Sequence, residues 1–409
     1  MQMATIESGT SLESAAPLDA STPMITEGCY AIIQKVGGEH TRVVRLTANT
    51  NVLIEKLRFE AESAIGHPFG IFEVIGKRLV PATVEDLKKR DGGDDIEMAT
   101  LHDETLPNGG EKPVAPSAVV AETRQAITQE QITEMKEGGG KASDVVSKLI
   151  EGSASFAGRT AYSKSKYIRR KTKKHSDRVL ILKPTIRLLS DTYLRKDHDR
   201  VGCLRIDQLA AVMHQGAIHT GRKVIVFDQV LGVFTAAVVE RLAGSGACIH
   251  LHRHTVAQGI PCFNAMNFKP EVLSTFYPDW KEAKEAASAA KKNERLQRES
   301  EGLAFVNGEG VETVLIATRS VDPVSLLEEC WGKLKPAGNV VVYSPTLQHC
   351  ARAQQWLRQK GAIHITLTDQ LYRVHQVLPD RTHPLMSQMV VGGYILAAIK
   401  VIIPPVSAV

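Results

Sequence analysis

One stretch of this chain, residues 222–246, constrains the fold more than any other. Within it, Val224–Phe227 is a continuous apolar and β-branched run, which is typical of a buried parallel strand. Ala236–Leu242 then has the composition of a helix, and Gly244 and Gly246 mark its end. A strand, a tight turn and a helix in this order form the opening half of a doubly wound unit. We therefore expect an open α/β sheet built around Val224–Phe227.

The same alternation continues to the end of the chain. The predicted strands are Cys248–His252, Val311–Ala317, Val340–Ser344, Gly361–Leu367, Tyr372–Leu378 and Gly393–Ile403, and the predicted helices are Pro323–Leu334 and Thr346–Gln359. Strands that alternate with helices build a Rossmann-like open sheet, here over residues 201–409, and the last strands are expected to be antiparallel.

The segments before this sheet differ in composition. Residues 1–23 are rich in Ser, Thr, Ala and acids and are predicted to be disordered. Residues 24–87 contain five short β-rich runs, which predict an all-β domain, a small barrel or curled sheet. Residues 88–126 carry paired glycines, prolines and many acids, as a flexible linker or an extruded loop does. Residues 127–200 are predicted to form a helical and basic connector.

Two helices are predicted at the start of this connector. Thr128 and Gln131 have the spacing of a capping box, in which each side chain binds the backbone N–H of the other residue. Val145, Val146, Leu149 and Ile150 then recur at helical spacing and form one apolar face.

The turn after Val224–Phe227 lacks the glycines that a cofactor-binding turn needs. Such turns use glycine because the backbone must approach the ligand without a Cβ in the way. Rossmann-like methyltransferases typically have acid-x-Gly-x-Gly-x-Gly here, whereas this chain has Asp228-Gln-Val230-Leu-Gly232-Val-Phe234. Val230 and Phe234 therefore replace two of the three glycines. We expect these degenerate positions to be filled by side chains and this chain to bind no cofactor.

Two further strand ends lack the acids that a nucleotide site needs. The second strand of such a sheet usually ends in Asp or Glu, which binds the ribose hydroxyls, but here the end is His250–His254. Val311–Ala317 runs into Thr318-Arg-Ser320, and a carboxylate follows only at Asp322. Three losses on one edge of a sheet argue against catalysis, so no catalytic residue is predicted.

The histidines and cysteines could serve metal binding or nucleophilic catalysis, but the residues around them argue against both. His250, His252 and His254 point to one face of a strand, but a zinc site needs further Cys, His or acidic ligands. No metal site is therefore predicted. The six cysteines include no C-x-x-C pair and are expected to be reduced thiols. Cys330 and Cys350 lie inside predicted helices, where a thiol nucleophile is improbable.

A strongly basic strip lies between Arg159 and Lys183, where ten Lys and Arg residues accompany a single acid, Asp177. A strip of this density with Tyr162 and Tyr167 interleaved is suited to contact with nucleic-acid phosphates. A solvated surface and a nuclear-import signal are the alternatives. The predicted RNA-binding residues of this region are Lys164, Lys166, Arg169, Arg170, Lys171, Lys173, Lys174, Lys183 and, just beyond the strip, Arg187.

A second candidate contact is Leu378–Met386, a segment in which polar residues are flanked by Pro379 and Pro384. That composition predicts a rigid exposed loop. Arg381 and His383 are predicted to contact phosphate or a partner chain, with a pinned surface turn as the alternative. Since no apolar run approaches the roughly 20 residues that a membrane span needs, no membrane association is expected.

Several motifs resemble one known family, the non-catalytic subunits of eukaryotic tRNA (adenine-58-N1) methyltransferase. They are Ile25-Thr-Glu-Gly28, Ile65-Gly-His-Pro-Phe-Gly70, Leu182-Lys-Pro-Thr-Ile-Arg-Leu-Leu189, Ala317-Thr-Arg319, Val341-Val-Tyr-Ser344 and Arg381-Thr-His-Pro384. The resemblance implies a β-barrel followed by a methyltransferase-like domain that has no activity of its own. It also implies a heterotetramer, two of each subunit, in which the catalytic subunit binds S-adenosylmethionine and both subunits hold tRNA.

The resemblance leaves two other functions to be weighed. One is an active S-adenosylmethionine-dependent RNA methyltransferase with an unusual pocket, and the other is a translation-associated RNA-binding scaffold. For all three functions RNA is the expected partner, and we expect the chain in the nucleus.

Overall fold

The fold was analysed in a computed structural model. It describes residues 23–82 except 37, 39 and 56, then 127–137, 142–153, 175–252, 259–278, 289–378, 381–386 and 388–402, with residues 156, 164, 167, 168, 170 and 171. The chain divides into two compact units. The first contains residues 1–28, 35–38 and 46–181, and the second contains residues 29–34, 39–45 and 182–409. The predicted disordered N-terminus, apart from residue 23, and the whole of the predicted linker, residues 88–126, lie outside the described residues.

Sixteen strands and ten α-helices are named within the described residues. The strands are β1 Tyr30–Lys35, β2 Thr41–Arg45, β3 Asn51–Ile54, β4 Leu57–Glu60, β5 Gly70–Ile75, β6 Arg78–Pro81, β7 Arg178–Leu182, β8 Lys223–Asp228, β9 Ala247–Leu251, β10 Phe276–Pro278, β11 Val311–Ala317, β12 Leu334–Ser344, β13 Ile363–Asp369, β14 His375–Leu378, β15 Arg381–Pro384 and β16 Tyr394–Ile399. The helices are α1 Gln129–Glu137, α2 Ala142–Glu151, α3 Ile186–Lys196, α4 Ile206–Gln215, α5 Val233–Leu242, α6 Pro261–Ala265, α7 Pro270–Leu273, α8 Ala289–Asn307, α9 Pro323–Trp331 and α10 Leu347–Gln359.

The first unit contains short antiparallel pairs, as the β-rich runs predict. Strand β3 pairs with β4, and β5 pairs with both β6 and β7. The capping box before α1 forms as expected, because the Thr128 N–H donates to Gln131 Oε1 (3.1 Å) and the Gln131 N–H donates to Thr128 Oγ1 (3.4 Å). Val145, Val146 and Leu149 of α2 are buried and Ile150 is half-buried, which confirms the predicted apolar face.

The second unit is the predicted open sheet. Its strand order is β10-β9-β8-β11-β12-β16-β13. The first five strands run parallel, and β16 is antiparallel to both β12 and β13. The strand order reverses direction between β8 and β11, and in open α/β sheets ligands bind beyond the strand ends at such a point. The Rossmann-like fold with a terminal antiparallel strand pair is therefore confirmed.

Both faces of this sheet are covered, which explains why its strands are continuous apolar runs. Val224 and Val226 of β8 face one hydrophobic cluster, and Ile225 and Phe227 face the other. Each of these four side chains is at most 1% exposed. Burying a side chain of this size stabilises the fold by about 1.5–3 kcal/mol.

A hairpin from the predicted barrel segment belongs to the second unit. Strands β1 and β2 pair antiparallel, and Ile32 is buried in the same cluster as Val224 and Val226. The Tyr30 backbone exchanges two hydrogen bonds of 2.8 Å with the Asn267 side chain. Contacts between residues more than 200 positions apart cannot be inferred from local patterns. The sequence analysis therefore assigned this hairpin to the all-β domain of residues 24–87.

Several elements differ from the predictions. Strand β12 begins at Leu334, six residues before the predicted start at Val340. Helix α5 begins at Val233 rather than Ala236, because the turn before it is shorter than expected. Strand β10 was not predicted, since three residues are too few to give a periodic signal. Within the segment predicted as a rigid loop, residues 381–384 form β15, which pairs antiparallel with β14. The loop prediction for residues 381–384 was therefore wrong.

Candidate functional site: the turn after the central strand

The acid at the end of β8 is engaged entirely by its own chain. The Asp228 carboxylate is buried, and its Oδ1 accepts hydrogen bonds from the backbone N–H groups of Val230 (2.8 Å) and Gly232 (3.1 Å). Its Oδ2 accepts from the Thr235 N–H (3.0 Å) and lies 3.2 Å from the Thr235 hydroxyl. A carboxylate at this point also interacts favourably with the amino end of α5. The N–H groups that would cradle a ligand are thus already satisfied.

The two positions that replace glycine are filled by core side chains, as predicted. Val230 and Phe234 are each 0% exposed. The Phe234 ring lies 6.0 Å from the Tyr343 ring, at 50°. The Tyr343 hydroxyl donates to the Gly202 carbonyl (2.7 Å) and accepts from the Gly393 N–H (3.1 Å), and burial raises the pKa of this phenol. Aromatic rings and a satisfied hydroxyl therefore occupy this end of the sheet.

The one glycine that the turn retains also has a packing role. Gly232 has φ +79°, and a Cβ on it would lie 2.7 Å from the Ile260 Cβ. Ile260 therefore covers the turn at a distance that only glycine permits. The sequence alone did not reveal this role, because Ile260 lies 28 positions further along the chain.

A side-chain bridge links the two loops at the reversal point between β8 and β11. The Gln229 Oε1 accepts hydrogen bonds from the backbone N–H groups of Arg319 (2.9 Å) and Ser320 (3.2 Å). The backbone N–H of Gln229 in turn donates to the Ala317 carbonyl (2.9 Å). The loop after β11 is thus held against the turn after β8.

These features decide whether the residues fit S-adenosylmethionine, the cofactor of this fold class. The positions that should be open carry Val230 and Phe234, and the acid of the turn binds the turn itself. Strand β9 ends at Leu251, and the next residue is the buried His252 rather than a ribose-binding carboxylate. The residues of this edge therefore do not fit the cofactor.

The other chemistries weighed from the sequence concern histidines and cysteines. His250 is buried, with its ring 6.1 Å from Phe276, and His254 lies outside the described residues. The described residues contain no group of three or more His, Cys, Asp or Glu that could hold a metal. Cys330 and Cys350 are buried in α9 and α10 as predicted, and burial raises the pKa of Cys350 to about 12. A thiol with that pKa is a poor nucleophile at neutral pH.

The predicted basic strip is only partly described, since Lys166, Arg169, Lys173 and Lys174 lie outside the described residues. In the first unit Arg170 is exposed, whereas Lys164 and Lys171 are half-buried. The Nζ of Lys171 lies over the Tyr167 ring, 5.3 Å from its centroid, and the Nζ of Lys164 lies 5.9 Å from the Phe156 centroid. Tyr167 thus contacts a lysine of its own strip, which the sequence pattern did not predict.

Four predicted RNA-binding residues lie in the second unit, and two of them, Lys183 and Arg187, are just before and just inside the start of α3. Lys183 and Arg187 are both exposed there. A further cation of this unit, Arg319, follows β11 and is also exposed, and no carboxylate of the described residues forms an ion pair with it. In the sequence, Arg319 was noted only because no acid occupies the end of this strand. It was not predicted to contact RNA. Its place beside the reversal point of the sheet is what makes it a candidate.

Arg381 and His383 lie in β15, on an exposed hairpin. The His383 ring is exposed, with Nδ1 3.0 Å from the Pro384 carbonyl. The β14–β15 hairpin and its flanks expose large apolar side chains, which we call the hairpin surface: Leu371, Tyr372, Val374, Val377, Leu385, Met386 and Val391. Val377 and Met386 are 75% and 89% exposed. The sequence did not predict this surface, because apolar strands are normally interpreted as core.

The fold and this turn define a class I methyltransferase-like protein whose cofactor site is degenerate. Solved structures agree with the fold: the chain is similar to an S-adenosylmethionine-dependent O-methyltransferase from Thermotoga maritima, with a TM-score of 0.52, 10% identity, and coverage of 93% of this chain and 96% of the other. At that identity the similarity shows the fold alone. Among the described residues, no helix is both long and apolar enough to cross a membrane.

The chain belongs to the Gcd10p family, whose sequence profile matches residues 24–302. Two relatives are named tRNA (adenine(58)-N(1))-methyltransferase non-catalytic subunit. The one from Dictyostelium discoideum is 26% identical, with 93% of this chain and 80% of the relative covered. The one from Mus musculus is 24% identical, with 95% and 91% covered.

Proposed function

We propose that this chain is the non-catalytic subunit of a tRNA (adenine-58-N1) methyltransferase, and that it binds tRNA and positions it for a catalytic subunit. The observation that carries the proposal is a methyltransferase fold whose cofactor turn is filled by Val230 and Phe234. Membership of the Gcd10p family and the names of the relatives support it. The same filled turn disfavours the alternative of an active enzyme with an unusual pocket.

The chain itself carries no cofactor under this proposal. S-adenosylmethionine binds to the catalytic subunit, and this chain's sheet serves assembly and RNA contact. This division of labour is supported by the Asp228 carboxylate, which already accepts three backbone N–H groups of its own turn and helix.

The tRNA contacts that we propose are cations in both units. In the first unit they are the residues of the basic strip, and in the second they are Lys183, Arg187 and Arg319. Exposed Lys and Arg side chains bind phosphates without reading sequence, and they position the RNA rather than select it. Arg319 lies at the edge of the sheet where ligands of this fold class bind, so RNA held at that edge would contact it.

The partner surface that we propose is the hairpin surface. An exposed apolar patch of this kind marks a protein–protein interface, because leaving it in water is unfavourable. We further propose a heterotetramer with two of each subunit and a nuclear location, for which the basic strip has the composition of an import signal.

Reconstitution with a catalytic subunit tests this function. The chain alone should neither methylate tRNA nor bind S-adenosylmethionine saturably by calorimetry, whereas the mixture should methylate tRNA faster than the catalytic subunit alone. Native mass measurement of the mixture should give two copies of each chain. Saturable micromolar cofactor binding by the isolated chain would contradict the proposal, and so would a catalytic subunit that is fully active alone.

A further inference from the structure

The hairpin surface is carried by a segment whose two ends are held by the same side chain. Arg205, just before α4, has a side chain that is only 4% exposed. Its guanidinium donates to the carbonyl of Gln370 (2.6 Å) on one side of the hairpin segment and to the carbonyl of Val390 (2.8 Å) on the other. One planar cation thus joins the chain entering the hairpin to the chain leaving it.

A carboxylate keeps this cation in place. Asp207 accepts two hydrogen bonds from the Arg205 guanidinium, from Nε (2.9 Å) and from Nη2 (2.8 Å). A bidentate pair of this kind fixes the plane of the guanidinium as well as its position. The remaining donors of Arg205 are therefore aimed at the two carbonyls.

Two more side chains fasten the end of the segment to the filled turn. The Gln208 Nε2 donates to the Gly393 carbonyl (2.6 Å), and the Gly393 N–H donates to the Tyr343 hydroxyl (3.1 Å). Tyr343 also packs against Phe234, the side chain that replaces a glycine of the cofactor turn. Tyr343, which packs beside the degenerate cofactor turn, thus also holds the base of the hairpin.

We infer that Arg205, Gln208 and Tyr343 form a polar clamp that sets the orientation of the β14–β15 hairpin for docking of the partner subunit. All three are positioning residues, since none of them lies on the exposed surface. A two-stranded hairpin is marginally stable by itself in water, so its direction depends on how its ends are held. The docking role rests on the function proposed above, but the clamp itself can be measured on the chain alone.

The variant Arg205→Lys tests the clamp with the charge retained. A lysine can still pair with Asp207, but its single nitrogen cannot reproduce the planar fork that reaches both carbonyls. Tyr343→Phe is the second variant: it keeps the ring against Phe234 and removes only the hydroxyl. Arg352→Lys is the matched control, because Arg352 is exposed and makes one long ion pair with Asp322 (3.4 Å).

The first measurement is the distance between two spin labels on the isolated full-length chain. The labels, introduced as non-natural amino acids, replace the exposed residues Met386 on the hairpin surface and Arg358 on α10. We expect a narrow distance distribution for the parent chain and for Arg352→Lys, and a clearly broader one for Arg205→Lys and Tyr343→Phe. An unchanged distribution in both clamp variants would overturn the clamp.

The second measurement is the affinity of each unlabelled chain for the catalytic subunit. Losing a hydrogen bond to a charged group should weaken association by about tenfold or more in Arg205→Lys, with no change in Arg352→Lys. A broader distance distribution with unchanged affinity would overturn the docking role and leave the clamp standing. A parent chain that does not associate at all contradicts the proposed function instead, so the two failures are distinguishable.

Discussion

At the scale of single residues, the turn after β8 retains the acid found in methyltransferases, Asp228, but here this acid binds its own backbone. Asp228 stabilises its own turn, while Val230 and Phe234 have become core residues. The position of both substitutions could be identified from the sequence, because the acid-x-Gly-x-Gly-x-Gly frame is local. The bridge from Gln229 to the loop after β11 could not, since its partners lie 90 and 91 positions away.

Replacing Phe234 with alanine should destabilise the chain strongly. Removing a fully buried aromatic ring costs about 3–5 kcal/mol, because apolar burial is reduced and a cavity is left behind. The free energy of unfolding, measured by urea denaturation, should fall by this amount in Phe234→Ala. Leu347→Ala is the control, because Leu347 is 43% exposed and its removal should change little. A Phe234→Ala chain as stable as the parent would mean that the ring does not fill this site.

At the scale of elements, the β14–β15 hairpin stands apart from the seven-stranded sheet. Among the described residues its strands pair only with each other, and apolar side chains of the hairpin and its flanks are exposed. Sequence patterns predicted strand β14, with a start three residues too early, and missed β15, because a Pro- and His-containing segment has the composition of a loop. Whether an apolar strand is core or surface depends on what packs on it, which periodicity does not reveal.

A charge on the hairpin surface should weaken partner binding strongly without changing the stability of the isolated chain. Val377 is 75% exposed, so Val377→Asp should leave the urea midpoint of the isolated chain unchanged. In the complex the carboxylate would be buried without a partner, which costs several kcal/mol, so association with the catalytic subunit should fall by at least about a hundredfold. Leu347→Asp is the matched control on α10. If the two variants bind the partner equally well, the hairpin is not the interface.

At the scale of the whole molecule, candidate RNA-binding cations occur in both compact units while the net charge is only +5. The excess is therefore local rather than general, as in a protein that binds a polyanion with defined surfaces. Charge density could be identified from the sequence. The half-burial of Lys164 and Lys171 against aromatic rings could not, because it depends on where Phe156 and Tyr167 pack.

Neutralising the strip should change how salt affects tRNA binding. With Arg169, Arg170, Lys171, Lys173 and Lys174 all replaced by alanine, affinity should fall and its dependence on salt should flatten. The slope of log K against log salt concentration should decrease by about 0.7–0.9 for each phosphate that the variant no longer neutralises. The control is an equal number of alanine substitutions at exposed cations elsewhere: Arg352, Arg358 and Lys360 of α10 and its flank, with Arg241 and Lys269. A slope unchanged from the parent would remove the strip from the interface.

The sequence by itself determined the sheet, the bounds of β11 to the residue, and the loss of two glycines at the cofactor turn. These features are written in local periodicity and in the identity of adjacent residues, which one stretch of chain contains. Only the tertiary structure decided what replaced the cofactor site: Tyr343 bound to Gly202 and Gly393, Ile260 over Gly232, and Arg205 holding both ends of a hairpin. The hydrogen bond between Tyr343 and Gly202 spans 141 positions, and such partners are selected by the packing of the sheet rather than by neighbours along the chain.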